Sequence, residues 1–335
     1  MKRFGPARPE ALKRRAFLAA VSALAAPTAH AQTSAPKLIG FLHSGAPNYI
    51  AGIMTRLRRG LADHGFIDGK NLRIETRLAA GHYERIPALA RELLALKADA
   101  VLAVGGSEPV KAFKAATSTV PIVFMSAIDP VRAGVVESLG RPGGNVTGIS
   151  LVGASLEPKR LEVLAQLAPG KGPLGALINP QYPGAELQRE SLRSAAAAMG
   201  RPLEFVTATS ATEIDAAMAA AADRHCAGLV QAQDPLFAST IPQIVAAAEH
   251  EKLPAVYQGR EFVDLGGLAS YGTDFIAAFG DAGGYLGRIL KGAKPADLPV
   301  MQPTKFEFVV SLKAAKTIGI EIPSSLLSTA DEVIE

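Results

Sequence analysis

From Lys37 onward the chain alternates short apolar runs with amphipathic stretches of helical period, and this alternation restricts the fold more than any other feature. The predicted strands are Lys37–Leu42, Asn71–Leu78, Ala98–Val104, Pro121–Phe124 and Val146–Ser150, followed by Pro173–Ile178, Pro202–Val206, Gly228–Gln231, Pro254–Tyr257 and Leu268–Tyr271. They are short and bounded by Gly, Pro, Asp or Asn. Between them, Ile86, Leu89 and Leu93 repeat at helical spacing within Glu84–Leu96, as do Leu161, Leu164, Ala165 and Ala168 within Lys159–Ala168. Ser155 is a candidate N-cap for the latter helix, with Pro158 in its first turn. Strand–helix–strand order implies parallel sheets covered by helices on both faces. Two similar runs of five strands exceed the usual size of one sheet. The expected fold class is therefore α/β in two lobes.

Candidate crossings between lobes follow Val146–Val152 and Leu268–Tyr271, with a third in the Pro-rich stretch Pro295–Pro303. The expected division is 37–150 plus about 272–298 for lobe 1, and 151–270 plus about 300–335 for lobe 2. The tail adds a predicted strand over Lys305–Ser311 and a helix over Leu312–Gly319. In such sheets ligands bind beyond the carboxyl ends of the strands. That points to the loops His43–Asn48, Gly105–Pro109, Ser126–Pro130, Asn179–Gly184, Gln233–Leu236 and Gly259–Glu261. Two lobes facing each other through these loops form a cleft that can close on a small molecule.

Residues 1–31 read as a removable export signal. A basic start is followed by Lys13-Arg14-Arg15-Ala16-Phe17-Leu18, an apolar run, and Ala29-His30-Ala31 before Gln32. The apolar run is too short to span a bilayer. The twin arginine fits export of a folded protein, and the same residues also suit the general route. Cleavage after Ala31 would place the product in the periplasm. It would also change the charge. Six of the 35 bases and one of the 31 acids precede Gln32, leaving 29 bases, 30 acids and a net charge of −1. Nucleic-acid binding by bulk charge is thereby disfavoured. The cleavage site has no cysteine to carry a lipid anchor, and Cys226, in an apolar run, is expected to be buried.

Enzyme signatures are weak. The histidines are scattered, no phosphate loop or dinucleotide fingerprint is present, and no nucleophile elbow occurs. Neither cofactor nor metal is expected. The loops suit ligand binding better. Ser44, Gly45 and Ser107 place hydroxyls and backbone N–H groups at helix N-termini, where they can hold a carboxylate or cap the helix. Asp129-Pro130 and Asp234-Pro235 each follow a strand and precede a helix, so each Asp can cap or accept a ligand ammonium. Tyr182, Tyr257 and Tyr271 can wall a pocket or sit half-buried. Arg260 can clamp a carboxylate or pair with a nearby acid such as Glu261.

A family resemblance runs through the whole chain after the signal. It is carried by Ile39-Gly-Phe-Leu42, Arg141-Pro-Gly-Gly-Asn-Val-Thr-Gly148, Asp234-Pro235, Arg260-Glu-Phe262 and Ser270-Tyr-Gly272. Ile289 to Pro299, Pro303-Thr-Lys-Phe-Glu307 and the closing Ala330-Asp-Glu-Val-Ile-Glu335 continue the same order. Together they resemble the substrate-binding protein family of ABC transporters that includes the tryptophan/tyrosine-binding lipoproteins of Gram-positive bacteria. The resemblance implies a type 1 periplasmic-binding fold, two Rossmann-like lobes joined by three crossovers. It implies a non-enzymatic receptor that captures a small solute, such as an amino acid or aromatic carboxylate. Its partners would be a membrane permease and a cytoplasmic ATPase. The chain departs from the lipid-anchored relatives in lacking a cleavage-site cysteine, so an unanchored monomer is expected. The cleft would be lined by Ser44, Gly45, Gly106, Ser107, Ile128, Asp129, Tyr182, Asp234 and Tyr257 to Arg260. Alternatives are a ligand receptor for a membrane sensor kinase and a secreted α/β hydrolase.

Overall fold

Five parallel strands form the first sheet of this computed structural model, in the order β2-β1-β3-β4-β5. They are β1 (Lys37–His43), β2 (Leu72–Leu78), β3 (Ala100–Val104), β4 (Ile122–Ser126) and β5 (Val146–Ser150). The second sheet has the order β12-β11-β10-β9-β8-β6-β7. It comprises β6 (Leu174–Ile178), β7 (Leu203–Thr207), β8 (Gly228–Gln231), β9 (Ala255–Tyr257), β10 (Ala269–Gly272), β11 (Glu307–Ser311) and β12 (Glu332–Ile334). The structure describes residues 1, 2, 5, 35–46, 50–127, 129–151, 153–168, 170, 172–303 and 305–335. The segment read as a signal, 1–31, lies outside the described residues except at 1, 2 and 5. No helix among the described residues is long and apolar enough to cross a membrane.

The protein is thus two α/β lobes with mostly parallel sheets, and the chain passes between them three times. It leaves β5 and enters the second lobe with the Glu157–Leu167 helix. It returns from β10 into the Phe275–Leu290 helix, which packs in the core of the first sheet with Ile39, Phe41 and Leu102. It crosses again after Met301, which bridges Ile149 beside β5, and enters β11. Among the described residues the one antiparallel pairing is that of β11 with β10. The expected N-cap Ser155 instead lies in the 3₁₀ turn Gly153–Leu156. Leu156 takes the capping position, with no side-chain cap. β12 has no counterpart among the predicted strands.

Each sheet is buried on both faces, as continuous apolar strands such as Ala100–Val104 require. The helix Ile50–Ala62 crosses the helix Phe275–Leu290 at backbone contact, because both present glycines there. A Cβ on Gly60 would run into the carbonyl oxygen of Gly280, and one on Gly283 into that of Leu57. Alanine ordinarily stabilises a helix interior relative to glycine. Here Gly283→Ala is expected to have the opposite sign and to cost about 1–3 kcal/mol by overpacking. Thermal unfolding of the variant would show this as a melting temperature lowered by several degrees.

Candidate functional site

The carboxyl ends of the strands in both lobes open onto one shared cavity, with about 750 Å³ of space free of atoms, its mouth included. Lobe 1 contributes His43 from the end of β1, Gly105 and Gly106 after β3, Met125 and Ser126 from β4 and Ala127 just after it. Lobe 2 contributes Tyr182 after β6, Gln233 and Asp234 after β8, Gln258 after β9 and Arg160 from the Glu157–Leu167 helix. Much of the wall is apolar, with Met125, Leu151, Ile241, Phe262 and Phe275 among its residues.

The cleft is closed. Tyr83 of lobe 1 donates its hydroxyl to Asp234 Oδ2 of lobe 2 at 3.3 Å. The Tyr83 and Tyr182 rings meet with centroids 6.2 Å apart. Gly106 has φ +115°, and a Cβ there would lie 3.5 Å from the Tyr182 ring, so glycine suits both the backbone and the approach.

The polar wall residues differ in how they are held. Asp234 is 2% exposed; its Oδ1 accepts from Leu236 N at 2.7 Å and its Oδ2 from Asn179 Nδ2 at 3.3 Å. It therefore caps a helix and faces the cavity at once. Burial pushes its carboxyl up to about 6 against these hydrogen bonds. Burial also raises Glu261. Arg160 is fully buried and donates Nε to the carbonyl oxygen of Tyr271 at 2.9 Å. His43 Nδ1 accepts from Gly45 N at 2.7 Å, which puts the ring proton on Nε2, and burial lowers the imidazole to about 4. His43 is thus neutral near pH 7. Gln233 Oε1 and Gln258 Oε1 are buried without a hydrogen-bond partner among the described residues. Such acceptors call for a donor that a ligand would supply.

Of the residues singled out in the sequence, Gly106, Tyr182 and Asp234 line this cavity together. Ser44 and Gly45 lie behind it: Ser44 Oγ donates to the Val104 carbonyl at 3.4 Å, and Ser44 packs beneath Gly105. Ser107 is buried at the start of the Glu108–Ala116 helix, with its hydroxyl 3.2 Å from Glu108 Oε1 and no side-chain cap. Ile128 lies outside the described residues. Asp129 is exposed, closes its own turn by accepting from Val131 N and Arg132 N, and borders an adjoining chamber with Tyr182.

Two residues are placed elsewhere. Tyr257 points into the core, where its ring stacks on Phe262 at 4.7 Å. Strand alternation turns it away from the cleft, and Phe262 stands on the cavity wall instead. Arg260 is engaged by Asp264, Glu307 and Glu332 at 3.4, 2.7 and 3.1 Å, and these acids raise it. The buried guanidinium at the cavity is Arg160, which sequence reasoning passed over. Its signal was available: it sits on the apolar face of the first helix after a crossing, beside Leu161 and Leu164. Among the described residues no three His, Cys, Asp or Glu side chains are grouped as for a metal ion.

The profile of a family described as ABC transporter substrate binding protein matches residues 47–334. The tyrosine-binding protein of Clostridioides difficile (strain R20291) is 26% identical over 263 residues, covering 78% of this chain and 75% of that protein. An ABC domain from Streptococcus pneumoniae, solved in complex with L-Trp, superposes with a TM-score of 0.77 at 28% identity, covering 90% of this chain and all (100%) of that one. The ligand-free, open structure of a substrate-binding protein with adhesive properties from Clostridium difficile gives 0.61 at 25% identity, covering 89% and 99%.

The contacts that Tyr83 makes across the cleft generate a test of closure. Tyr83→Phe keeps the ring and removes the hydrogen bond to Asp234. A loss of about 1 kcal/mol from the closed form is expected. At a ligand concentration that half-closes the wild type, small-angle scattering should then report a larger radius of gyration for the variant.

Proposed function

The chain belongs to the ABC transporter substrate-binding protein family, and from that premise we propose that it captures one amino acid with an aromatic side chain in the inter-lobe cavity and passes it to a membrane permease driven by a cytoplasmic ATPase. The observation that carries this reading is the make-up of the cavity wall. Apolar side chains, including Phe262 and Phe275, stand beside one buried cation, Arg160, and buried acceptors, Asp234, Gln233 and Gln258. An aromatic amino acid complements all three: ring on the apolar wall, carboxylate on the guanidinium, ammonium on the acceptors. The relatives lend support, since one is a tyrosine-binding protein and another was solved with L-Trp.

The role is capture without turnover. Neither a nucleophile–base pair nor a metal is invoked: the His43 ring is neutral and spends Nδ1 on Gly45. Closure follows from differential affinity, because only the closed form brings Asp234 and Arg160 of lobe 2 against the lobe 1 wall. We further propose that the protein works in the periplasm; the support is the twin-arginine-like leader.

Titration calorimetry with L-tryptophan, L-tyrosine and tryptamine tests the ligand. The amino acids are expected to bind, and tryptamine, lacking the carboxylate, to bind about 10- to 100-fold more weakly, as loss of a charge-assisted hydrogen bond implies. Arg160→Lys, which keeps the charge and loses the planar fork, should narrow that gap. Binding of sugars or metal ions alone would sink the proposal.

A further inference from the structure

Glu157 opens the Glu157–Leu167 helix, where the first crossing enters lobe 2. It is fully buried, yet it stands behind the cavity wall that Arg160 and Gln233 form. Its Oε1 accepts from Gln188 Nε2 at 2.8 Å and from Gln233 N at 3.0 Å. Gln188 Nε2 also donates to the Gln233 carbonyl at 2.8 Å. Both backbone groups of Gln233 are therefore tied to this one carboxylate. Its Oε2 has no hydrogen-bond partner among the described residues. Arg160 follows one helical turn later, on the same face.

We infer that Glu157 is a positioning residue of the binding site, fixing Gln233 one helical turn before Arg160, so that capture of an anionic head group on Arg160 is coupled to uptake of a proton on Glu157 Oε2. The positioning half stands on the hydrogen bonds alone; the coupling half rests on the proposed amino-acid ligand. In a dry site a ligand carboxylate brought to the Arg160 guanidinium, one helical turn from Glu157, repels the buried Glu157 carboxylate. The cheapest relief is to protonate the one already buried. Oε2 can take the proton while Oε1, then a carbonyl oxygen, keeps accepting from Gln188 and Gln233. The proton comes from solvent, and no other bond has to break.

Burial already holds the Glu157 carboxyl up to about 7, with Arg160 and the hydrogen bonds from Gln233 and Gln188 opposing it. Glu157 in turn helps raise the Tyr182 hydroxyl, after burial and Asp234. The other ionisable groups around the cavity act differently. His43 is neutral, and Tyr83 is raised by burial and by Asp234. Asp234 and Glu261 would meet the ligand ammonium, which favours their ionised forms. Ligand binding that raises Glu157 makes affinity increase as pH falls through the bound-state value, levelling off below the ligand-free one.

The test is a pH titration of ¹⁵N-labelled protein by NMR, from about pH 5 to about pH 9, without and with saturating L-tryptophan. In the ligand-free protein the Gln233 backbone amide and the Gln188 side-chain amide should follow one shared midpoint. That titration should vanish in Glu157→Gln and persist, displaced, in Glu157→Asp. With L-tryptophan the midpoint should rise by about half a pH unit or more, a roughly threefold gain in affinity at the acid end. A flat Gln233 amide in the ligand-free wild type, or a titration that survives in Glu157→Gln, overturns the positioning role. A midpoint that L-tryptophan leaves in place overturns the coupling. If L-tryptophan does not bind, the proposed ligand fails and the coupling falls with it, while the ligand-free titration still decides whether Glu157 positions Gln233.

Discussion

Parallel strands wound with helical returns put every strand's carboxyl end on the same edge of its sheet, and the arrangement of this protein depends on that constraint. The chain leaves β5 at such an edge, and the Glu157–Leu167 helix carries it away before β6 runs back. The two edges therefore face each other, and loops from both, such as those of Gly106 and Asp234, line one cavity. The antiparallel β11 obeys the same logic. The chain returns from lobe 1 at the facing edge after Met301, with no helix to carry it to the far side of lobe 2. β11 must then run away from the cleft, opposite to β10.

The third crossing is fastened to lobe 1 before it leaves. Met301 N donates to the Gly148 carbonyl at 2.9 Å, Ser150 N to the Met301 carbonyl at 2.9 Å, and buried Thr147 Oγ1 to the Leu298 carbonyl at 2.6 Å. The crossing strand thus lies along the edge of β5, beside the first crossing. The same edge that ends the lobe 1 sheet holds the connector, so the lobes can rotate about this side while the sheets stay intact.

The lobes were legible in the sequence because short strands bounded by Gly and Pro leave a local trace. β12 was not: Glu332–Ile334 is a three-residue, largely exposed edge strand with no apolar period to detect. The site was half legible. The carboxyl-end rule pointed to Gly106, Tyr182 and Asp234, which line the cavity, because they occupy loops directly after strands. It also pointed to Arg260, which the structure engages with Glu307 and Glu332 from the tail, 47 and 72 residues away. It missed Glu157 and Arg160, since acid and base one turn apart on a helix ordinarily read as a solvated pair. Only the crossing that plants this helix against the cleft buries them.

That burial gives the closed cavity an electrostatic imbalance. Glu157, Asp234 and Glu261 lie in or beside it, and Arg160 is the cation on its wall. His43 contributes no charge, because burial holds it neutral. Closing the lobes on an empty cavity takes this net negative charge out of water, and the hydrogen bond from Tyr83 to Asp234 offsets only part of the cost, which disfavours the closed form. An ammonium beside Asp234 offsets part of that cost, and a carboxylate on Arg160 is tolerated to the extent that Glu157 can shed its charge. The ligand then acts as the missing charge of the closed state. A molecule that brings only apolar surface would bury area in the cavity but leave the imbalance in place, so it would shift the open–closed equilibrium far less than one carrying an ammonium.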